Sequence, residues 1–492
     1  MGTINSAYSL ITGALDADQA ALSVVANNVA NANTPGYTEE TPDWQANAPI
    51  EVDGVSVGDG VTETGATSQR DLVLNAMLDQ QQQLASASST RLTALDNIQA
   101  LFTPDSGSSS STAGDIGSDI TSFFDSFSSL EADPTNNALR EQVLSSASTL
   151  AGDISSAASS LNQQSAALNQ EASGVVSQVN SLTSALAQLN QQIMATSPDA
   201  DAGTLEDQRQ EDLSQLSQLV GINQVTTQNN GLEITTTSGQ LLVSEGQSFQ
   251  LTTGTVNGNT DFFLGGTDIT SQLATGGGQL GGYLTARDTD IPSALSSLDQ
   301  LAYGISVEVN AQNSAGTDEN GDAGGDIFSS PTQVSGSAAS MSVVMTSPDG
   351  IAAAANGAGT GDTSNATAMY NLLNETDPSI LNNLTLPDGT TLASGQTLLN
   401  GQTPINFYSN FVSTLGSTVS EVQTENTAQN ASVSQLQTQN DALSSVNLND
   451  EASALSTLEN SYQAASQVFT ILNTIMASAL NLGLEEIGRA HV

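Results

Sequence analysis

The side chains that most often do chemistry are nearly absent from this chain of 492 residues. There is no cysteine, so thiolate nucleophiles, thiolate metal sites and disulfides are excluded. The only histidine, His491, is the penultimate residue, which excludes a His-based triad or a His-rich metal site. All six basic residues are Arg, so no Gly-rich loop carries the Lys of a phosphate-binding loop. Asp318-Glu319-Asn320-Gly321-Asp322 has the alternating oxygens of a calcium loop. Ala323 stands where the sharp-turn Gly belongs and Ser329 where the bidentate Glu belongs, so a solvated turn is the better reading. Carboxylates are abundant but scattered, and no pair is singled out for general acid–base work. The residues predict no enzyme, no cofactor and no metal.

The elements that carry these residues are long and slender. Hydrophobic residues make up 37% and aromatics 4% of the chain, which suits long Ala-, Ser-, Gln- and Leu-rich helices better than one compact core. Ile4, Tyr8, Ile11, Leu15, Leu22, Val25 and Val29 fall on an alternating four-and-three spacing, interrupted once by Asp18. That is a heptad seam about 45 Å long at ~1.5 Å per residue. Leu448, Leu455, Leu458, Tyr462, Ala465, Phe469, Leu472, Met476 and Ala479 repeat the spacing at the other end, with Glu451 as the one intruder. The two seams predict a helix pair, parallel or antiparallel, built from both chain ends. Such a thin pair is marginal alone and is expected to order on assembly.

Between the ends, Ile50–Val57 alternates around an Asp53-Gly54 hairpin turn. Helix is expected from Arg70 to Phe102, after a Ser/Gly break from Ile116 to Leu130, and most clearly from Leu161 to Ile193, where Leu168, Ala172, Val175, Val179, Leu182, Leu186 and Leu189 keep a heptad spacing. Leu205–Leu219, Ile291–Asn313 and Ile405–Val446 are further helices, and 222–264 changes to short strands. Gly276–Gly282 reads as a hinge. Residues 314–402 are irregular, with strand candidates at Met341–Met345 and Leu384–Leu386.

The fold class is therefore mainly α, with long helices in terminal coiled-coil and helical-bundle domains and an inserted β-rich or irregular outer module. The expected division is 1–45 with 446–484 as the terminal helical domain, 46–313 with 403–445 as the helical body, and 314–402 as a separately folding insert. Residues 485–492 read as a non-native tail, because Glu486–Val492 has no seam and matches one reading frame of a common sequencing adaptor.

The segment that closes the first seam is Val24–Tyr37, VVANNVANANTPGY. Asn27, Asn28, Asn31 and Asn33 are poor helix-interior residues, since their amides compete for backbone groups. Thr34-Pro35-Gly36 then forbids continuation before Tyr37. Four Asn in seven residues followed by TPGY is more specific than a helix stop requires. It resembles the N-terminal signature of the flagellar axial proteins, in which this motif joins a terminal helix to the next domain and packs between subunits of a tube. Thr38-Glu39-Glu40 departs from the basic residue usual after the Tyr.

Three further stretches are similar to the hook-associated protein 1 family. They are Asp207-Gln208-Arg209 with Leu213, Leu216, Leu219 and Val220; Gly281–Asp288 with Ile291-Pro292 and Leu298–Ala302; and Val446–Ala452 with Tyr462–Ala465 and Leu480–Leu482. The resemblance implies an exported subunit of the ring between hook and filament, leaving without a cleaved signal peptide. The implied partners are copies of itself, hook protein, a second junction protein of the hook-associated protein 3 type, and the export apparatus with its chaperone. Hook or rod protein is the nearer alternative, and a glycan-binding or adhesive protein the more distant one. Against the latter, 314–402 holds only Phe328 and Tyr370 as large aromatics.

Charge bounds the partners further. Fifty-two acidic against six basic residues give −46, which makes nucleic acid and anionic membrane poor partners. No long apolar segment predicts membrane insertion.

Overall fold

The computed structural model describes residues 2–34, 36–52, 55–103, 115–196, 202–256 and 258–489, without the side chains of 2–5, 52, 55 and 480–489. The Ile4 side chain, Pro35, Asp53-Gly54, the break at 104–114 and His491 lie outside that description.

The first helix, α1 (Gly2–Asn31), ends where the Asn-rich segment begins to turn. Strands β1 (Glu40–Ala46), β2 (Ile50–Val52), β3 (Val55–Val57) and β4 (Val61–Ser68) follow. β1 pairs antiparallel with β4 from Glu40↔Ser68 to Ala46↔Val61, with a bulge between Asp43 and Trp44. β2 and β3 pair at the tip, Ile50↔Val57. The chain re-enters helix at α2 (Leu72–Ala100), whose N-cap Asp71 accepts from the Val73 and Leu74 N–H groups. Then come α3 (Ile116–Glu131) and α4 (Asn137–Ala195), a single helix of 59 residues capped by Asn136.

α4 is the spine of the body, and it starts well before the expected Leu161. Val143, Ala147, Leu150, Ile154, Ala157 and Leu161 are all buried. They extend the heptad backwards through Ala and Ser, whose small side chains hid the period. The first half of α4 packs with α2 and α3 around Phe123, Phe124 and Phe127. Its second half, from Ala172 to Ala187, belongs to another core.

That second core is completed by α5 (Thr204–Leu219), the antiparallel sheet β5 (Ile222–Thr226), β6 (Leu232–Thr236), β7 (Leu241–Ser244) and β8 (Gln247–Ser248), and the sheet β9 (Leu251–Val256), β10 (Asn259–Leu264) and β11 (Thr267–Asp268). Asn180 on α4 bonds both the N–H and the C=O of Leu251, at 2.8 Å each, tying a sheet edge to the spine. Helices α6 (Thr270–Ala274) and α7 (Gly278–Thr285) return the chain to α2. The glycines here are packing positions, not a hinge. A Cβ on Gly282 would meet the Ala87 carbonyl at 2.6 Å and the Thr90 Cβ at 2.7 Å. Glycine is therefore what lets α7 lie against α2.

One π turn leads from α7 into α8 (Ile291–Ser314). After it come β12 (Gly316–Thr317), α9 (Ser337–Ser340), β13 (Ala354–Ala355) and α10 (Ser364–Asn371). Strand in 314–402 is confined, among the described residues, to β12, β13 and single bridges such as Phe328↔Val343 and Thr385↔Thr391, so the irregular half of the expectation dominates.

The expected independence of this insert is overturned by its packing. Ile327, Phe328, Met341, Ile351, Met369 and Leu372 share the main core, and the Phe328 ring lies 5.3 Å from Phe123. Asn310 on α8 accepts from the Ile327 and Phe328 N–H groups at 2.9 and 3.0 Å. Arg140 on α4, 1% exposed, donates to the Pro134 and Ile351 carbonyls and to Glu319. These bonds are non-local, so the irregular sequence of the insert could not announce them.

The chain closes with α11 (Pro404–Ser444) and α12 (Leu448–Arg489). α11 lies antiparallel to α2, as contacts from Tyr408 with Phe102 to Ser444 with Gln69 show. Two amides of α11 bond across this pair: Ser88 donates to Asn426 at 3.3 Å, and Gln81 to Gln429.

Candidate functional site: the joint between the chain ends and the body

α1 and α12 form an antiparallel pair. The Tyr8 and Phe469 rings are 5.1 Å apart at one end, Ala21, Val25 and Leu458 pack in the middle, and Asn28 meets Glu451 at the other. The predicted seams are only partly covered. Val25 and Leu458 are buried; Ile11, Leu15, Leu22, Phe469, Leu472 and Met476 are half-buried. Val29, Leu455 and Tyr462 stay 38–45% exposed, beside Val468, Ile471 and Ile475. Heptad spacing marks an apolar face, and two helices alone cannot cover all of it.

Asn28 is the centre of the joint. It is 1% exposed, and its amide makes all four of the hydrogen bonds available to it. Nδ2 donates to the Glu40 carbonyl at 2.8 Å and to Glu451 Oε1 at 2.7 Å. Oδ1 accepts from the Tyr37 hydroxyl at 2.8 Å and from the Glu40 N–H at 3.1 Å. One side chain thus ties the end of α1, the closing turn, the start of β1 and the first turn of α12.

The neighbouring motif residues shape the turn. Asn31 donates to the Asn27 carbonyl and side chain at 3.0 and 2.9 Å, and Thr34 Oγ1 to Asn31 Oδ1 at 3.1 Å. Asn27 donates to the Tyr37 hydroxyl at 3.4 Å. Gly36 takes φ 77°, the left-handed region that its lack of a Cβ permits. Asn33 and Thr34 are exposed.

A second layer fixes this turn to the body. The Thr38 N–H donates to Asp207 Oδ2 at 3.1 Å, and Asp207 Oδ1 accepts from Arg70 at 2.8 Å. Arg70 also pairs with Glu206. The Glu39 N–H donates to the Ser444 carbonyl at 2.9 Å, and the Gln69 N–H to the Glu39 carbonyl at 2.9 Å. The starts of α2 and α5, the end of α11, the end of α1 and the start of α12 therefore converge here.

Electrostatics hold the joint in one protonation pattern. Burial, then Glu40, Asp207, Glu451 and Glu39, push the Tyr37 hydroxyl far above its ordinary range, so it remains a donor to Asn28. Burial raises the Glu451 carboxyl and the Asn28 amide opposes that rise.

Sequence reasoning singled out Asn28 and Tyr37 but missed their partners. Glu451 read as an intruder in a seam; it is the residue Asn28 holds. Ala17 and Ala21 carry the buried stripe of α1 where Asp18 seemed to interrupt it. Arg70 and Asp207 lie 137 positions apart, and nothing local signals their pairing.

Among the described residues no group of three His, Cys, Asp or Glu could hold a metal ion, and no helix is long and apolar enough to cross a membrane. The calcium-like loop is a closed turn: Asp318 Oδ1 accepts from the Asn320 and Asp322 N–H groups at 2.9 Å each, and Glu319 pairs with Arg140.

An antiparallel pair of chain ends, fixed by an Asn–Tyr–Glu joint to a helical body, surrounds the segment that resembles the flagellar axial signature. Residues 11–38 match the flagella basal body rod protein family, and residues 105–328 match the flagellar hook-associated protein FlgK helical domain. The chain is 30% identical over 328 residues to flagellar hook-associated protein 1 of Salmonella typhimurium, covering 64% of this chain and 58% of that protein. It is 25% identical over 525 residues to flagellar hook-associated protein 1 of Bacillus subtilis, covering 95% and 96%. The solved flagellar hook junction protein FlgK from Burkholderia pseudomallei shares the fold, with a TM-score of 0.59 at 19% identity over 74% of this chain and 99% of that one. The chain is thus similar to the flagellar hook-associated protein 1 family, and its match spans 58% of the length of the first of these relatives.

Proposed function

We propose that this chain is a structural, non-enzymatic subunit of the bacterial flagellum that assembles into the ring between hook and filament. The supporting observation is the joint around Asn28. It sets the paired chain ends against a body that is similar to the helical domain of hook-associated proteins. A rigid joint between an inner helix pair and an outer body is what an adaptor between two tubular lattices requires. The partly uncovered seams of α1 and α12 support neighbouring copies as the missing cover.

On this reading the motif residues Asn27–Tyr37 act in assembly, and the partners are other copies, hook protein and a second junction protein of the hook-associated protein 3 type. The export apparatus and its chaperone deliver the chain without a cleaved signal peptide. The deciding experiment is immunogold labelling or cryo-microscopy of intact flagella. Label confined to the hook–filament boundary is expected; label along the hook or rod would overturn the reading.

A further inference from the structure

The joint holds Glu451 without neutralising its charge. The residue is 5% exposed. Its Oε1 accepts from Asn28 Nδ2 at 2.7 Å, and the same nitrogen donates to the Glu40 carbonyl at 2.8 Å. The donor is thus a neutral amide, and it draws the carboxylate against the backbone of an acidic pair, Glu39-Glu40. Glu39 Oε2 accepts from the Asn447 N–H at 3.4 Å, which brings a second carboxylate to the start of α12. Asp450 stands beside Glu451 in the first turn of that helix. Arg70 pairs with Glu206 and Asp207 instead.

A buried carboxylate held by an amide among other acids is costly. A protonated Glu451 avoids that cost and keeps its bond, because its carbonyl oxygen still accepts from Asn28. When α12 leaves α1, Glu451 returns to water and the cost of its charge disappears. The docked and open arrangements therefore differ in their affinity for one proton. We propose that Glu451 is a proton-operated latch on the paired chain ends: with its proton the docked pair tightens, and without it the joint loosens while the body stays folded.

The groups around Glu451 all agree with that direction except two. Burial raises its carboxyl above the ordinary range; the Asn28 amide opposes this, and Glu39 and Asp450 add to the rise. The N-terminus of α12 also favours a negative charge there, but the balance remains upward. From the closing turn Tyr37 faces Glu40, Asp207, Glu451 and Glu39, which with burial hold its proton in place. From α11 the joint receives the Ser444 carbonyl, bonded to the Glu39 N–H. A group raised in the docked arrangement supports docking fully at acid pH, and that support is lost as pH rises through the docked value.

The test is hydrogen exchange by mass spectrometry on the full chain from about pH 8 to about pH 4, corrected at each pH for the intrinsic exchange rate. Protection of peptides from the end of α1 and the start of α12 should rise about threefold or more as the pH falls. Glu451→Gln keeps an acceptor for Asn28 and removes the charge. It should hold these peptides at the high level throughout, while α4 peptides keep the pH profile of the unmodified chain. Glu39→Gln removes a facing charge and should move the rise to lower pH. A flat profile in the unmodified chain would overturn the proposal. So would a Glu451→Gln profile that follows the unmodified one, or that shows lost protection at every pH, since the charge itself would then hold the joint. If Glu451→Gln fails to fold by circular dichroism, Glu39→Gln decides, and an unshifted rise overturns the latch.

Discussion

Replacing Asn28 by Ala should unlock the chain ends without melting the body. The substitution removes two bonds to the Glu40 backbone, one from Tyr37 and one to the Glu451 carboxylate. At about 1 kcal/mol for each neutral bond and about 2 for the charged one, the direct loss is ~5 kcal/mol. Water entering the void recovers part of this, leaving about 3–5 kcal/mol. That loss falls on the docking of α1 and α12, because all four bonds run within the joint, to Tyr37, Glu40 and Glu451. Every ~1.4 kcal/mol is tenfold in the opening equilibrium, so exchange protection near Asn28 and Glu451 should fall by at least about a hundredfold. Hydrogen exchange by mass spectrometry on peptides from the end of α1 and the start of α12 reads this directly, with α4 peptides as the internal control. Limited proteolysis should trim the far ends of the pair in the unmodified chain and stop near the joint; in the variant it should run on to the body. Asn28→Asp should be worse at neutral pH, since it sets a second carboxylate against Glu451, and should recover as acid protonates the pair. Unchanged protection at both peptides in Asn28→Ala would refute the claim that this amide holds the joint.

Gly282→Ala should cost about 1–3 kcal/mol by forcing α7 off α2, read as a lower urea midpoint with unchanged m-value. Arg140→Ala should cost about 3–5 kcal/mol, because it leaves the Pro134 and Ile351 carbonyls and Glu319 without their donor; thermal melts measure it. Deleting 314–402 behind a Gly/Ser linker should yield aggregated protein, since Phe123 and its neighbours lose Phe328 and Met369; a monodisperse, fully helical deletion protein would contradict this. Burial raises Asp119 to about 7, with Asp153 adding to the rise, and raises Glu308 to about 8. The folded state therefore keeps protons that the unfolded chain releases, and stability should decline as pH rises from the ordinary carboxylate range to about 8, then level off. Glu308→Gln should flatten the upper part of that decline in denaturant midpoints taken across pH. With 52 acids against 6 bases, and the described arginines engaged inside the fold, copies have few ion pairs to offer one another. Self-association by sedimentation should rise with salt at neutral pH and with acid at low salt; indifference to both would remove electrostatic control of assembly.

The sequence by itself determined the helical class, the pairing of the two ends and the special character of VVANNVANANTPGY, because these are local and periodic. A 3.5-residue apolar repeat and a Thr-Pro-Gly break act within a few residues of themselves. It also determined what the chain is not, since chemistry that needs Cys, Lys or a placed His cannot arise without them. Only the tertiary structure decided the direction of the end pair, the partner of Asn28 and the meaning of Glu451, which lies 423 positions away. A carboxylate inside an apolar repeat looks like an error until a buried amide is brought opposite it. The glycines at 276–282 show the same limit: loss of Cβ permits either a bend or a close approach, and only the backbone of α2 arriving at Gly282 selects the second. The insert was hardest to read because its order comes from Asn310, Asn313 and Arg140, which hold loops by non-local hydrogen bonds that leave no period in the sequence.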